Sequence, residues 1–234
     1  MHKYSILFDI EGRLVDSVPL SLRCWQETLA DAGHPVSREA LQALSGMDGT
    51  DMLEALLPEV SEKARNEILK ERGANFERDY LMEVRSFPHV RDTLRSLSRV
   101  DTALALATDC RGKSLGRYRE ILGIDPFIRA ISCGADVPEG KPTPGILESA
   151  LRALGASPEY AVMVGDTPSD ARAALRAGTA SIGLLTGGFS AEALRDAGCD
   201  AVAADIATVP RVTDYIRMGV RECPGEASRR PKLG

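Results

Sequence analysis

Two carboxylates stand two residues apart in Asp9-Ile10-Glu11-Gly12, directly after an apolar run from Tyr4 to Phe8. Such a pair can divide the work of phosphoryl transfer. One carboxylate attacks phosphorus; a second, protonated one gives its proton to the leaving oxygen and then activates water. Asp9 suits the attack and Glu11 the proton transfer, although the segment also reads as a strand finished by a polar turn. A second acidic pair, Asp166 and Asp170, lies in Gly165-Asp166-Thr167-Pro168-Ser169-Asp170 after another apolar run. Asp170 alone would serve to cap the following helix. Yet a carboxylate attacking a phosphate dianion brings like charges together, and Mg²⁺ on oxygen ligands is the usual way to neutralise them. Asp9, Asp166 and Asp170 offer such a cluster. Lys141, in Gly140-Lys141-Pro142-Thr143-Pro144, adds a positive charge before a helix that Pro144 can open; a lone lysine there is more often solvated. Thr108-Asp109 closes a third apolar run with a hydroxyl and backbone amides able to bond phosphate oxygens in a turn.

These residues are far apart in sequence and need elements that bring them to one edge. Short apolar runs recur at Tyr4 to Phe8, Ala103 to Ala107, Ile128 to Ser132, Ala161 to Val164, Ser181 to Leu185 and Ala201 to Ala203, and they read as buried parallel strands. Helical patterns fall between them at Arg91 to Ser98, Ser114 to Leu122, Pro144 to Leu154 and Ser169 to Ala177. Alternation of this kind predicts an α/β doubly wound parallel sheet, whose sites form at the C-terminal ends of strands. The first interval is too long for one crossover. Leu22, Trp25 and Leu29 share a helical face there, and Leu53, Leu56, Leu57, Ile68, Phe76 and Tyr80 continue the pattern. An inserted all-helical domain is therefore expected over 19–84, with the core formed by 1–18 and 85–217. The polar, breaker-rich stretch 218–234 is expected to be a disordered tail.

The chain has 234 residues, 44% hydrophobic and 27% charged, with 29 Lys plus Arg against 34 Asp plus Glu. The net charge of -5 leaves no basic excess for a nucleic-acid backbone or an anionic membrane surface. No apolar run approaches the roughly 20 residues that cross a bilayer, and the N-terminus lacks a signal-peptide pattern. A cytoplasmic enzyme acting on a small molecule is the expectation. Five scattered cysteines without a Cys-x-x-Cys pair are expected to be reduced thiols.

Taken in order, the four segments resemble the signatures of the haloacid dehalogenase superfamily of Mg²⁺-dependent phosphatases, in its phosphoglycolate phosphatase-like branch. The matches are Asp9-Ile10-Glu11-Gly12-Arg13-Leu14-Val15-Asp16-Ser17, then Thr108, then Lys141 with Pro142, then Gly165-Asp166 with Asp170. The helical insertion is similar to the family's cap, and Gly46-Met47-Asp48-Gly49 resembles a cap loop facing substrate. The resemblance implies a two-step hydrolysis of a small phosphate monoester, of the phosphoglycolate or sugar phosphate type, through an aspartyl-phosphate on Asp9. Glu11 would be the acid and base. Mg²⁺ would be held by Asp9, Asp166 and the carbonyl of Glu11, with Asp170 near it. Thr108, Asp109 and Lys141 would grip the phosphoryl group, and Gly46, Met47 and Asp48 would contact the rest of the substrate.

Two positions depart from the family pattern. Glu11 replaces the usual aspartate and moves the carboxyl by about 1 Å; enolase-phosphatases of the superfamily carry the same Asp-Ile-Glu-Gly run. Arg13 replaces a small threonine. It is expected to point to solvent or to pair with Asp16 or Glu11, and the remaining option is entry into the pocket as a second phosphate anchor. A phosphomutase of the same fold, carbon-halogen hydrolysis, and a catalytically weakened binding or regulatory protein are the rival readings. His34, His89 and Trp25 are given structural roles; Cys110, two positions beyond Thr108, is a candidate to line the pocket, and nothing marks it as a nucleophile.

Overall fold

The computed structural model describes residues 4–98 and 101–217. The proposed tail, 218–234, and Cys223 lie outside the described residues. β1 (Tyr4–Phe8) is followed by a tight turn, a two-residue β2 (Val15–Asp16), and four helices: α1 (Val18–Asp31), α2 (Arg38–Ala43), α3 (Gly49–Leu56) and α4 (Glu62–Asn75). A π-helical turn, Phe76–Tyr80, leads to β3 (Arg85–Ser86). From there strand and helix alternate: α5 (Val90–Ser98), β4 (Thr102–Thr108), α6 (Gly112–Leu122), β5 (Ile128–Cys133), α7 (Gly145–Leu154), β6 (Ala161–Gly165), α8 (Pro168–Ala177), β7 (Ala180–Leu184), α9 (Ala191–Asp196), β8 (Ala201–Ala203) and α10 (Val209–Arg217).

The large sheet has six parallel strands in the order β5-β4-β1-β6-β7-β8. Each apolar run becomes one strand, because strands buried on both faces have no polar side to show. Alternate residues still separate: Ile6, Phe8, Leu104, Leu106, Val162 and Val164 pack under α5, α6 and α10. Leu7, Ala105, Ala107 and Met163 meet α7 and α8 on the opposite face. The chain order reverses between β1 and β6, where Phe8 pairs with Val164. The residues that follow these two strands, Asp9 and Asp166, therefore flank the crevice at the switch point.

The helical segment builds its own core from Leu22, Trp25, Leu29, Leu41, Met52, Leu53 and Ile68. Its later helices start where side chains take up free backbone amides: Ser37 accepts from Ala40 N, Asp48 from Thr50 N and Ser61 from Ala64 N. One element here has no counterpart in the sequence reading. β2 and β3 pair antiparallel, Val15 with Ser86 and Asp16 with Arg85, so the chain enters and leaves the helical segment side by side. No helix among the described residues is long and apolar enough to cross a membrane. Cys24, Cys110, Cys133 and Cys199 are free thiols.

Candidate active site

Gly12 makes the turn after β1 possible. Its φ of +81° lies in the left-handed region, and a β-carbon there would collide with the Asp166 carboxylate. The turn folds Leu14 N and Val15 N back onto the Ile10 carbonyl and aims Asp9, Glu11 and Arg13 at one place. Opposite, Thr167 and Asp170 form a capping box at the start of α8: the Thr167 hydroxyl accepts from Asp170 N, and Asp170 accepts from Thr167 N. The modest reading of Asp170 as a cap is thus realised, and its carboxylate faces the crevice as well.

Arg13 corrects the sequence expectation of a solvent-facing or Asp16- or Glu11-paired side chain. It is 2% exposed. One terminal nitrogen, Nη2, donates to Asp166 Oδ1 and, at 2.8 Å, to Asp170 Oδ2, while Nη1 pairs with Asp9. The fork of donors finds three carboxylates, two at the ends of β1 and β6 and one on the first turn of α8. Lys141 is equally buried. Its Nζ meets Asp9 Oδ2, Asp170 Oδ1 at 2.7 Å and Asp109 Oδ2 at 3.4 Å, and its backbone N–H donates to Asp109 Oδ1 at 3.1 Å. Burial works to depress the lysine, but Asp170, Asp9 and Asp109 outweigh it and hold its pKa above the usual range. Asp170 is held below the usual carboxylate range against its burial by Arg13 and Lys141. Removing Lys141 would leave the surrounding carboxylates short of a buried positive charge. Lys141→Ala is expected to cost about 3–5 kcal/mol, read as a fall in the urea unfolding midpoint.

Glu11 is half-buried, and its Oε1 accepts from the Tyr118 hydroxyl at 3.0 Å. Burial raises its pKa, Arg72 opposes this, and Asp9 adds to it. The carboxyl therefore keeps its proton further up the pH scale than an ordinary glutamate does, as an acid donor requires. Burial, opposed by Lys141, likewise raises Asp109.

A cavity of about 540 Å³ opens over these groups, between the helical segment and the sheet edge. Asp9, Glu11, Arg13, Asp109 and Asp166 lie on its floor, and Gly46, Met47 and Asp48 on its opposite wall. Gln42 Nε2 donates to the Gly187 carbonyl at 3.0 Å across the same junction. Thr108, Lys141 and Asp170 sit behind this surface: Thr108 is fully buried, and its hydroxyl accepts from Cys110 N at 3.2 Å. Cys110 lines the cavity as a thiol, and burial pushes its pKa up, which favours the protonated form. His34 and His89 do not line it.

Arg72 and Tyr118 carry no motif or spacing that marks them in the sequence. Arg72 is one of several cations on α4, and only the fold lays it over the rings of Trp25 and Phe76, 5.0 and 4.9 Å from their centres, at the cavity wall. Trp25, read as core alone, also faces the cavity.

The carboxylates that would take Mg²⁺ are already engaged. Asp9 uses Oδ1 on Ile10 N and Oδ2 on both cations; both oxygens of Asp170 are bonded; Asp166 Oδ1 meets Arg13. Asp166 Oδ2 is the one carboxylate oxygen of this trio without a hydrogen-bond partner, and it is wedged against Gly12 and Gly187, where a β-carbon would not fit on either. Six oxygen ligands around a small ion do not fit this arrangement.

Residues 6–184 match the sequence profile of haloacid dehalogenase-like hydrolases. The chain is 31% identical over 189 residues to a phosphoglycolate phosphatase of Pseudomonas putida, covering 78% of this chain and 69% of that protein. It is 31% identical over 222 residues to a phosphoglycolate phosphatase of Vibrio cholerae, covering 88% and 95%. A crystal structure of a hydrolase from Pseudomonas syringae superposes with a TM-score of 0.84 at 26% identity, covering 91% of this chain and 99% of that one.

Proposed function

Because the chain belongs to the haloacid dehalogenase-like hydrolase family, we infer that this cavity is the active site of a phosphoric monoester hydrolase that works through Asp9. The observation that carries this reading is the placement of Asp9 and Glu11 on one cavity floor with the cations Arg13 and Lys141 against Asp9. Asp9 Oδ2 forms a bond to phosphorus while the ester P–O bond breaks, and the Glu11 carboxyl gives its proton to the departing alkoxide. Glu11, now a carboxylate, takes a proton from water as that water attacks the aspartyl-phosphate. Inorganic phosphate leaves and Asp9 is regenerated. Arg13 and Lys141 stabilise the charge on the phosphoryl oxygens. Asp109 positions Lys141 through its backbone and side chain, and Thr108 fixes the turn that follows β4. The helical segment acts as the cap, with Gly46, Met47 and Asp48 against the leaving group.

The substrate is a small phosphorylated metabolite, and Arg72 points to one that carries a second anionic group beyond the phosphate, as phosphoglycolate does. Stacked over two rings, its guanidinium is held in place before substrate arrives, and its Nε has no partner in the protein. The test is a panel of phosphoglycolate, sugar phosphates and an uncharged aryl phosphate assayed for phosphate release. Arg72→Ala is expected to raise KM for phosphoglycolate by about 10-fold or more, the loss of one charge-assisted bond, and to change KM for the aryl phosphate far less. Equal effects on both esters would remove Arg72 from substrate recognition. No phosphate release from any ester would overturn the hydrolase reading.

A further inference from the structure

We infer that the guanidinium of Arg13 takes the place of a divalent metal at this site, so that the protein handles phosphate with a built-in cation and binds no Mg²⁺ there. The inference rests on reading the site as a phosphoryl-transfer centre. Its ground is the pairing of one side chain with all three aspartates of the candidate metal set: Asp9, Asp166 and Asp170. A threonine at position 13 could not reach them; an arginine on the turn set by Gly12 does. The position that departs most from the family pattern thus fills the place the pattern leaves for an ion.

Metal and guanidinium exclude one another here. Seating Mg²⁺ would require Arg13 to withdraw from a pocket in which it is 2% exposed and in which every oxygen of Asp9 and Asp170 is already bonded. The free Asp166 Oδ2 is one ligand, closed off by Gly12 and Gly187. A guanidinium brings half the charge of a divalent ion, and Lys141 against Asp9 and Asp170 brings another positive charge. Arginine serves elsewhere as the stabiliser of a transferring phosphoryl group, so the exchange is chemically sound.

The test is a Mg²⁺ titration of the full-length protein and of Arg13→Thr, followed by calorimetry and by thermal unfolding. Wild type is expected to give no saturable heat and no change in Tm at millimolar Mg²⁺. Arg13→Thr is expected to gain a single saturable site with a raised Tm, and Asp166→Asn in that background to lose it. Wild-type binding within a few-fold of the Arg13→Thr affinity would overturn the proposal, as would an Arg13→Thr protein that folds and gains no site. If Arg13→Thr does not fold, the wild-type titration decides: saturable binding that Asp166→Asn abolishes refutes the proposal, and its absence supports it. Neither readout needs turnover. An inert protein with this metal pattern would refute only the hydrolase reading, and a phosphatase whose wild type binds Mg²⁺ at this site would refute only the metal replacement.

Discussion

Asp9→Asn is expected to reduce turnover by about 10⁴-fold or more, the scale on which loss of a covalent nucleophile is felt. The amide has the carboxylate's shape and lacks the charge and lone-pair reactivity that form an acyl-phosphate. The fold should survive, because Asp109, Asp166 and Asp170 still face Arg13 and Lys141 after the change. One charged partner is lost to two buried cations, a cost of about 1–3 kcal/mol. Circular dichroism and a urea titration would check the fold while phosphate release checks the chemistry. A variant that folds and turns over at the wild-type rate would end the assignment of Asp9.

Glu11→Gln is expected to slow turnover by about 100-fold or more, and it separates the two steps. An aryl phosphate with a good leaving group needs little help from an acid, so Asp9 is still phosphorylated. Breakdown of the intermediate needs a base and stalls. The glutamine keeps an oxygen for the Tyr118 hydroxyl, which now donates to Oε1 at 3.0 Å, so the local packing is preserved. Rapid acid quench and mass spectrometry should then find the aspartyl-phosphate accumulated in the variant and scarce in wild type. If rate and intermediate were both unchanged, and Glu11→Asp instead raised activity strongly, the native glutamate would be a degraded catalyst and the weakened-protein reading would move ahead.

The strands of the large sheet were legible because burial on both faces leaves uninterrupted apolar runs, and each run became a strand within one residue at either end. The helical segment was legible from the unusual distance between the first two runs. β2 and β3 were not. Two residues each, with Asp16 and Arg85 exposed, carry no periodicity, and their pairing is decided by the two crossings of the chain meeting in space. At the site, Asp9, Glu11, Asp109 and Asp166 could be read from their strand ends. Arg13 could be read only in part. Arginine avoids burial unless paired, and the partners that overcome this at Asp166 and Asp170 lie more than 150 residues away in sequence. The clue present in the sequence was charge: an aspartate cluster needs cations, and Lys141 alone is too few.

The paired crossings at β2 and β3 also bear on how such a chain can change over generations. Directly opposed antiparallel residues lie about 5 Å apart, so the ends of the helical segment are already together before anything is placed between them. Lengthening, shortening or exchanging that segment alters the closure cost only logarithmically and leaves the sheet and its aspartates where they are. Selection can thus remake the wall that carries Met47 and Asp48 while the strand ends that carry Asp9 and Glu11 keep their places. In the proposed enzyme, substrate choice and bond-breaking are inherited on separable stretches of one chain.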